Sequence, residues 1–282
     1  MLEVTSLTRA FGDHVAIADI SVRVEDGELV TIVGPSGCGK STLLRCVAGL
    51  LPPTSGRVLL DGAAVTRVPD RLAIVFQDYS RSLYPWLTVD ANVALPLRGK
   101  GWRRGMATRQ ARLGRAARRE TVHEALEAVG LASFADRYPW QLSGGMQQRV
   151  AIARALACDP VLLLMDEPFG AVDAQTREDL EDLVLRVRER RHITTLLVTH
   201  DIDESVYVGD RVIALSHGPG RVLAEVAVDL PAPRDQITTR ELREFARLRT
   251  EVGRLIRGRP RPAAQPAMAP PRPPAYPLEG EA

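Results

Sequence analysis

Gly34-Pro35-Ser36-Gly37-Cys38-Gly39-Lys40-Ser41 fits the spacing GxxxxGK[ST]. It follows Val30-Thr31-Ile32-Val33, a short β-rich run, and precedes a helix-like stretch from Lys40 to Leu50 that should end near Gly49. Strand, glycine-rich loop and helix in that order restrict the chain to an α/β fold with a buried strand feeding the loop. The glycines let the backbone curl so that several N–H groups point inward, as a phosphate requires. Gly34, Pro35, Ser36, Gly37, Cys38 and Gly39 are therefore expected to wrap a nucleotide's phosphates. Lys40 would supply charge to the β- and γ-phosphates, the Ser41 hydroxyl would ligate Mg²⁺, and Thr42 would add a further phosphate contact.

Two more segments carry chemistry. Val161-Leu162-Leu163-Leu164-Met165-Asp166-Glu167 is an apolar run ending in two acids. An apolar strand places Asp166 at its C-terminal edge, where ligands of α/β sheets sit. There Asp166 would hold Mg²⁺, directly or through water, and Glu167 would polarise an attacking water. The octapeptide Leu142-Ser143-Gly144-Gly145-Met146-Gln147-Gln148-Arg149 opens a predicted helix, Gly145 to Ala157. A hydroxyl and bare backbone N–H groups at the positive end of a helix form an anion site. The chain thus carries two phosphate-binding devices.

The remaining organisation is coarser. Alternating apolar residues from Leu2 to Ile32 suggest short strands of a partly open sheet, and Ile74-Val75-Phe76 a further strand. From Thr88 to Asp159 the chain turns helical, with Val122, Ala125, Leu126 and Val129 on one face of a predicted helix, Thr121 to Val129. Strand signals return at Val161–Met165, Thr194–Val198 and Val212–Leu215, separated by helix-like segments, as in βαβ units with parallel pairing. Arg98 to Arg119 holds nine Lys/Arg and no acid. It reads as a solvated helix face or loop, or as a surface attracted to anionic lipid headgroups. Residues 259–282 contain eight prolines and read as a disordered, polyproline-like tail outside the folded domain 1–258.

Composition excludes several classes. A formal net charge of +2 is too mild to imply nucleic acid by itself. The three cysteines, Cys38, Cys46 and Cys158, have neither disulfide-framework nor zinc spacing. That cysteine usage fits a reducing cytosol; no apolar run approaches the ~20 residues that cross a bilayer, and no basic-then-apolar leader is seen.

The order of these segments, with Gln77, Asp173 and His200, resembles the ATP-binding subunit of ABC transporters across about Leu2 to Ile256. The resemblance implies a P-loop NTPase cassette with a RecA-like parallel-sheet core, an antiparallel β subdomain and an inserted helical signature subdomain at about 88–159. It implies that two cassettes, expected as a homodimer, pair head to tail and hydrolyse ATP with Mg²⁺. Ser143 and Gly145 would contact the partner's γ-phosphate, with Gly144 and Gln147 nearby. Gln77 resembles the Q-loop residue that senses Mg²⁺ and water and connects to a permease. Asp173 resembles the D-loop acid that reaches across the dimer, and His200 the switch histidine on the γ-phosphate and Glu167. Phe11 resembles the aromatic that stacks on adenine, a position commonly tyrosine in the family. Gln77 to Val89, including Trp86 in Pro85-Trp86-Leu87-Thr88-Val89, and Pro219-Gly220-Arg221-Val222 resemble the nitrate/sulfonate/taurine group of importers. The expected partners are then integral membrane permease subunits, which Tyr79 to Trp86 should face, and indirectly an extracytoplasmic solute-binding protein. No nucleic acid is expected, and the cassette would lie at the cytoplasmic face of the membrane. A soluble ABC ATPase acting on nucleic acid or ribosomes is the alternative, disfavoured because no long coiled-coil arms and no second cassette are seen.

Overall fold

Strand pairing in the computed structural model, which describes residues 1–78, 82–97, 114–170 and 172–258, divides the β structure into two sheets. The first is antiparallel, in the order β2-β1-β4-β5. It comprises β1 (Leu2–Phe11), β2 (His14–Val24), β4 (Ser55–Leu60) and β5 (Ala63–Ala64). β1 and β2 are longer than the short strands expected from sequence. Their alternation is broken because the pairing register shifts between Val4 and Arg9, where Ser6 and, on the partner strand, Asp19 adopt positive φ. Each bulge re-aims the residues beyond it and hides a strand's length from a period-two reading.

The second sheet runs β10-β9-β3-β8-β7-β6. Its strands are β3 (Leu29–Val33), β6 (Leu72–Val75), β7 (Leu162–Asp166), β8 (Thr194–Thr199), β9 (Arg211–Leu215) and β10 (Val222–Ala227). Every pair is parallel except β10 with β9. β3, β7 and β8 are buried along their whole length, as strands covered on both faces must be. Alternate side chains feed two cores. Leu162 and Leu164 join the cluster shared with the antiparallel sheet, whereas Leu163 and Met165 join a helical one. Phe76, expected in β6, lies outside it and is exposed.

Helix α1 (Lys40–Val47) buries Leu43, Leu44 and Val47 in the first core. It stops short of the expected Leu50 because Ala48 closes it and Gly49 takes φ 69°. Between β6 and β7, which are neighbours in the sheet, lie α2 (Val89–Ala94), α3 (Arg115–Ala128) and α4 (Gly144–Leu156), packed on one another. α3 starts six residues before the expected Thr121, so Arg115, Arg118 and Arg119 of the basic stretch are helical. Residues 98–113 of that stretch, Tyr79 to Arg81 and the tail 259–282 lie outside the described residues. Helix α4 begins at Gly144 rather than Gly145, with Ser143 as its cap. α5 (Ala174–Arg191) and α6 (Ile202–Val208) join the last parallel strands. Short α7 (Thr238–Glu241) leads into α8 (Arg243–Ile256), which buries Phe245, Leu248 and Val252 against the helical core and packs on α6.

Candidate functional site

Parallel strands bring their C-terminal ends to one edge of the sheet, and the predicted polar residues follow those ends. The glycine-rich loop follows β3, Gln77 follows β6, Asp166 ends β7 with Glu167 next, and His200 follows β8. β6, β7, β8 and β3 are consecutive neighbours, so four loops from distant parts of the chain converge.

Within the loop, Gly37 and Gly39 take φ of 77° and 96°. At Gly39 a Cβ would lie 2.5 Å from Ile17 Cγ2 and 2.7 Å from the Ala16 carbonyl oxygen, so any side chain would lift the loop from β2. Gly34 and Cys38 are buried, whereas Ser36 is exposed at the rim. The Lys40 ammonium is buried and donates to the carbonyls of Gly34 (2.8 Å) and Pro35 (3.2 Å). A buried cation with only neutral carbonyl partners is poised to exchange them for anionic oxygens. Ser41 Oγ donates to Asp166 Oδ1 at 3.0 Å, and Thr42 is half-buried one residue on. Burial pushes the Asp166 carboxyl up, and the neighbouring Glu167 carboxylate adds to this; the Ser41 bond and the cations Arg45 and Lys40 oppose it.

Glu167 is the convergence point. Its backbone takes φ 44°, uncommon for a residue with a side chain. Oε2 accepts a hydrogen bond from Gln77 Nε2 at 3.1 Å and lies 3.2 Å from His200 Nδ1, a second bond when that nitrogen carries the proton. The Glu167 side chain is 19% exposed and that of His200 58%, so the pair opens to solvent on the histidine side. Phe11 stands at the end of β1, 47% exposed, with the Arg9 guanidinium 4.6 Å above its ring centroid. One ring face is therefore taken by a cation.

The second device lies elsewhere on the surface. Ser143 and Gly144 are exposed at the N-terminus of α4, and Ser143 Oγ accepts from the Met146 N–H at 3.3 Å. None of the hydrogen bonds among the described residues joins Ser143 or Gly144 to Lys40, Asp166 or Glu167. Gly145 is buried, and a Cβ there would meet Thr176 Cγ2 at 2.1 Å, so α4 and α5 touch backbone to side chain. Gln147 commits its amide nitrogen to the carbonyls of Pro139 (3.0 Å) and Leu142 (3.2 Å). Asp173 caps α5, taking the Thr176 N–H at 3.0 Å and its hydroxyl at 2.8 Å. These two bonds hold its carboxyl below the ordinary carboxylate range.

Sequence reasoning overlooked two residues beside these. Gln148 is wholly buried, and its Nε2 donates to the Pro168 carbonyl at 2.8 Å, one residue past Glu167. Its signal was available: it shares a helix face with Gly145, Ile152 and Leu156, all buried. Glu204 is buried behind His200 and accepts from Thr199 Oγ1 at 2.6 Å. Burial pushes its pKa up to about 7 against that bond.

Comparison with known proteins places these features in one family. A family model described as ABC transporter matches residues 17–170, more than half of the chain. The chain is similar to the nitrate import ATP-binding protein NrtD of Synechocystis sp., 42% identical over 267 residues that cover 92% of this chain and 96% of that one. It is similar also to the nitrate import ATP-binding protein NrtC of Synechococcus elongatus, 43% identical over 243 residues. That match covers 86% of this chain but only 35% of NrtC, about a third of its length. Among solved structures, a dimeric post-hydrolysis state of the ATP-binding cassette MJ0796 bound to ADP and Pi superposes with a TM-score of 0.67. The two are 34% identical, with 81% of this chain and 99% of that one covered.

Proposed function

The chain belongs to the ABC transporter family, and on that premise we propose that it is the ATP-hydrolysing subunit of an importer. It binds ATP, pairs with a second cassette, and converts ATP and water to ADP and phosphate to drive a separate membrane permease. Among the described residues no helix is long and apolar enough to cross a membrane. We place the subunit at the cytoplasmic face of the membrane, working through permease partners, a reading that the names of its import ATP-binding relatives support. The names of NrtC and NrtD, nitrate import ATP-binding proteins, support a small solute of the nitrate type within the nitrate/sulfonate/taurine group, and we propose that an extracytoplasmic solute-binding protein delivers it. We further propose a cassette over residues 1–258, with a helical unit inserted at about 88–159 and a separate tail at 259–282.

The observation that carries the catalytic reading is the meeting of Gln77 and His200 on one oxygen of Glu167, one residue beyond the Ser41-bonded Asp166. Lys40 exchanges the Gly34 and Pro35 carbonyls for β- and γ-phosphate oxygens. The loop from Gly34 to Gly39, with Ser41 and Thr42, lines the triphosphate, and Phe11 offers its free face to the adenine. Glu167 accepts a hydrogen bond from the attacking water and orients it in line with the bond to the leaving ADP. His200 steadies Glu167 and the γ-phosphate. Catalysis of this kind is positioning plus electrostatic stabilisation.

Ser41, Asp166 and the Gln77 amide oxygen form a hard oxygen donor set that fits Mg²⁺. Among the described residues no group of three His, Cys, Asp or Glu side chains is placed to hold a metal ion. The cation would thus depend on the nucleotide's own phosphates for its remaining ligands, and when bound it neutralises their charge. Ser143, Gly144 and Gly145, with Gln147 and Asp173 behind them, serve the nucleotide held by the partner cassette. That no hydrogen bond among the described residues joins Ser143 or Gly144 to the chain's own Lys40 supports that reading.

Replacing Glu167 by Gln tests it. The variant should bind ATP like the parent, slow turnover by at least about 100-fold, and accumulate as a nucleotide-bound dimer. Parent-like turnover would remove Glu167 from the catalytic role.

A further inference from the structure

Gln148 is a polar residue in an apolar place. It lies in the second turn of α4, fully buried, on the face that carries Ile152 and Leu156 into the helical core. Its Nε2 donates to the Pro168 carbonyl at 2.8 Å, while its Oε1 has no hydrogen-bond partner among the described residues. A buried amide with one end unpaired is a poor choice for packing alone, because the unpaired acceptor opposes folding. An apolar side chain of similar length would fill the same space without that penalty.

The bond's position supplies a reason for it. The turn after β7 must hold Glu167 at φ 44°. Its backbone is tied at two points: the Glu167 N–H donates to the Val198 carbonyl at 2.9 Å, and the Gly170 N–H to the Glu167 carbonyl at 3.2 Å. Pro168 has no N–H to offer. Its carbonyl is the handle that remains, and Gln148 holds it. The same helix presents Ser143 and Gly144 to solvent one turn earlier. It is also locked against α5, since Gly145 meets Thr176 with no room for a Cβ. A displacement at the N-terminus of α4 is therefore carried to Pro168 by packed groups rather than absorbed.

We propose that Gln148 is a positioning residue for Glu167, and that through it one helix serves both ATP sites of a cassette pair. Its exposed N-terminus reads the partner's nucleotide, and its buried amide sets the chain's own Glu167 against Gln77 and His200. This rests on the proposed function, in which Ser143 faces the partner's phosphate and Glu167 orients the water.

The test is Gln148→Met, which keeps the volume and removes both the donor and the unpaired acceptor, with Gln148→Leu as a second apolar variant. The expected result is a fall in kcat of about 10-fold or more, with KM and the nucleotide Kd of the isolated cassette within about 2-fold of the parent. The melting midpoint should stay close to the parent's, since losing the unpaired Oε1 offsets the Pro168 carbonyl left without a donor, and the Hill coefficient for ATP should fall toward unity. A kcat within about 2-fold of the parent would overturn the positioning role. So would a joint loss of affinity, midpoint and rate, or failure of both variants to fold, since each makes Gln148 a packing residue. An unchanged Hill coefficient would overturn the link between the two sites. Glu167→Gln measured in the same assay separates the failures. If it turns over like the parent, the role of Glu167 has failed rather than that of Gln148.

Discussion

At Glu181 burial and ionisation are in direct conflict. The side chain sits on α5 with no exposure, and its Oε2 accepts from Gln236 Nε2 at 3.0 Å and Arg240 at 2.8 Å. Its Oε1 has no partner among the described residues. Burial pushes its pKa up to about 7, and the Gln236 bond and the Arg240 cation recover only part of the shift. The ordinary value is 4.5, so between the two values the folded protein holds a proton that the unfolded chain has released. The stability tied to that proton is fully present below pH 4.5 and is lost as pH rises towards about 7. Glu181→Gln abolishes the titration. Urea unfolding should find the variant gaining on the parent between pH 5 and pH 8, by up to about 3 kcal/mol. An equal gap at both pH values would mean that Glu181 stays ionised throughout. Nothing in the sequence marks this site. Glu181 stands in Glu178-Asp179-Leu180-Glu181-Asp182, where nothing distinguishes the buried acid from its solvated neighbours. Lys40, Ser41, Asp166 and Glu167 were legible because their chemistry fixes spacing along the chain. Glu181 and Glu204 take their environment from contacts that only the fold creates, whereas Gln148 shows its burial in the helix face and owes only its Pro168 partner to the fold.

Among the elements, the parallel strands were read closest to their observed limits, and the reason is physical. A strand buried on both faces is a continuous apolar run bounded by turn residues, and β7 and β8 end within one residue of their predicted ends. Bulges break the alternation of β1 and β2 and hide their length, and the first turn of α3, Arg115-Ala116-Ala117-Arg118, carries no clear apolar periodicity. The segment from Tyr84 to Thr88 belongs to no regular element, and Asn92 of α2 bonds it at several points. Asn92 is wholly buried; its Oδ1 accepts from the Tyr84 N–H at 2.8 Å, and its Nδ2 donates to the carbonyls of Tyr84, Leu87 and Thr88 at 3.0–3.1 Å. Trp86, 69% exposed, rides on that segment. Asn92→Ala leaves several part-buried backbone groups unpaired, so it should cost about 1–3 kcal/mol in denaturant unfolding. If the Trp86 segment is the permease contact, stimulation of turnover by a permease should fall further than basal turnover. Equal losses in both would place the contact elsewhere.

On the scale of the whole molecule, one chain carries both proposed phosphate-binding devices, and no hydrogen bond among the described residues joins them. The Lys40–Glu167 group gathers at the C-terminal edge of the parallel sheet, whereas Ser143 and Gly144 stand exposed on the helical unit. An active pocket assembled from two copies has a kinetic consequence that needs no knowledge of the dimer's geometry. Below the dissociation constant of the pair, the concentration of complete sites grows as the square of the cassette concentration. Turnover per cassette should then rise in proportion to concentration, and level off once most cassettes are paired. Glu167→Gln gives a second reading by sedimentation, since it should shift pairing to lower concentration by slowing the step that separates the pair. Ser143→Ala should act oppositely, lowering turnover at every concentration while the nucleotide affinity of the monomer stays within about 2-fold of the parent. Turnover per cassette that stays constant down to concentrations where sedimentation finds only monomer would mean that one chain completes its own site. Ser143 and Gly144 would then have to move onto their own Lys40 loop. The Gly145–Thr176 contact opposes that motion, because it locks α4 against the helix that Asp173 caps.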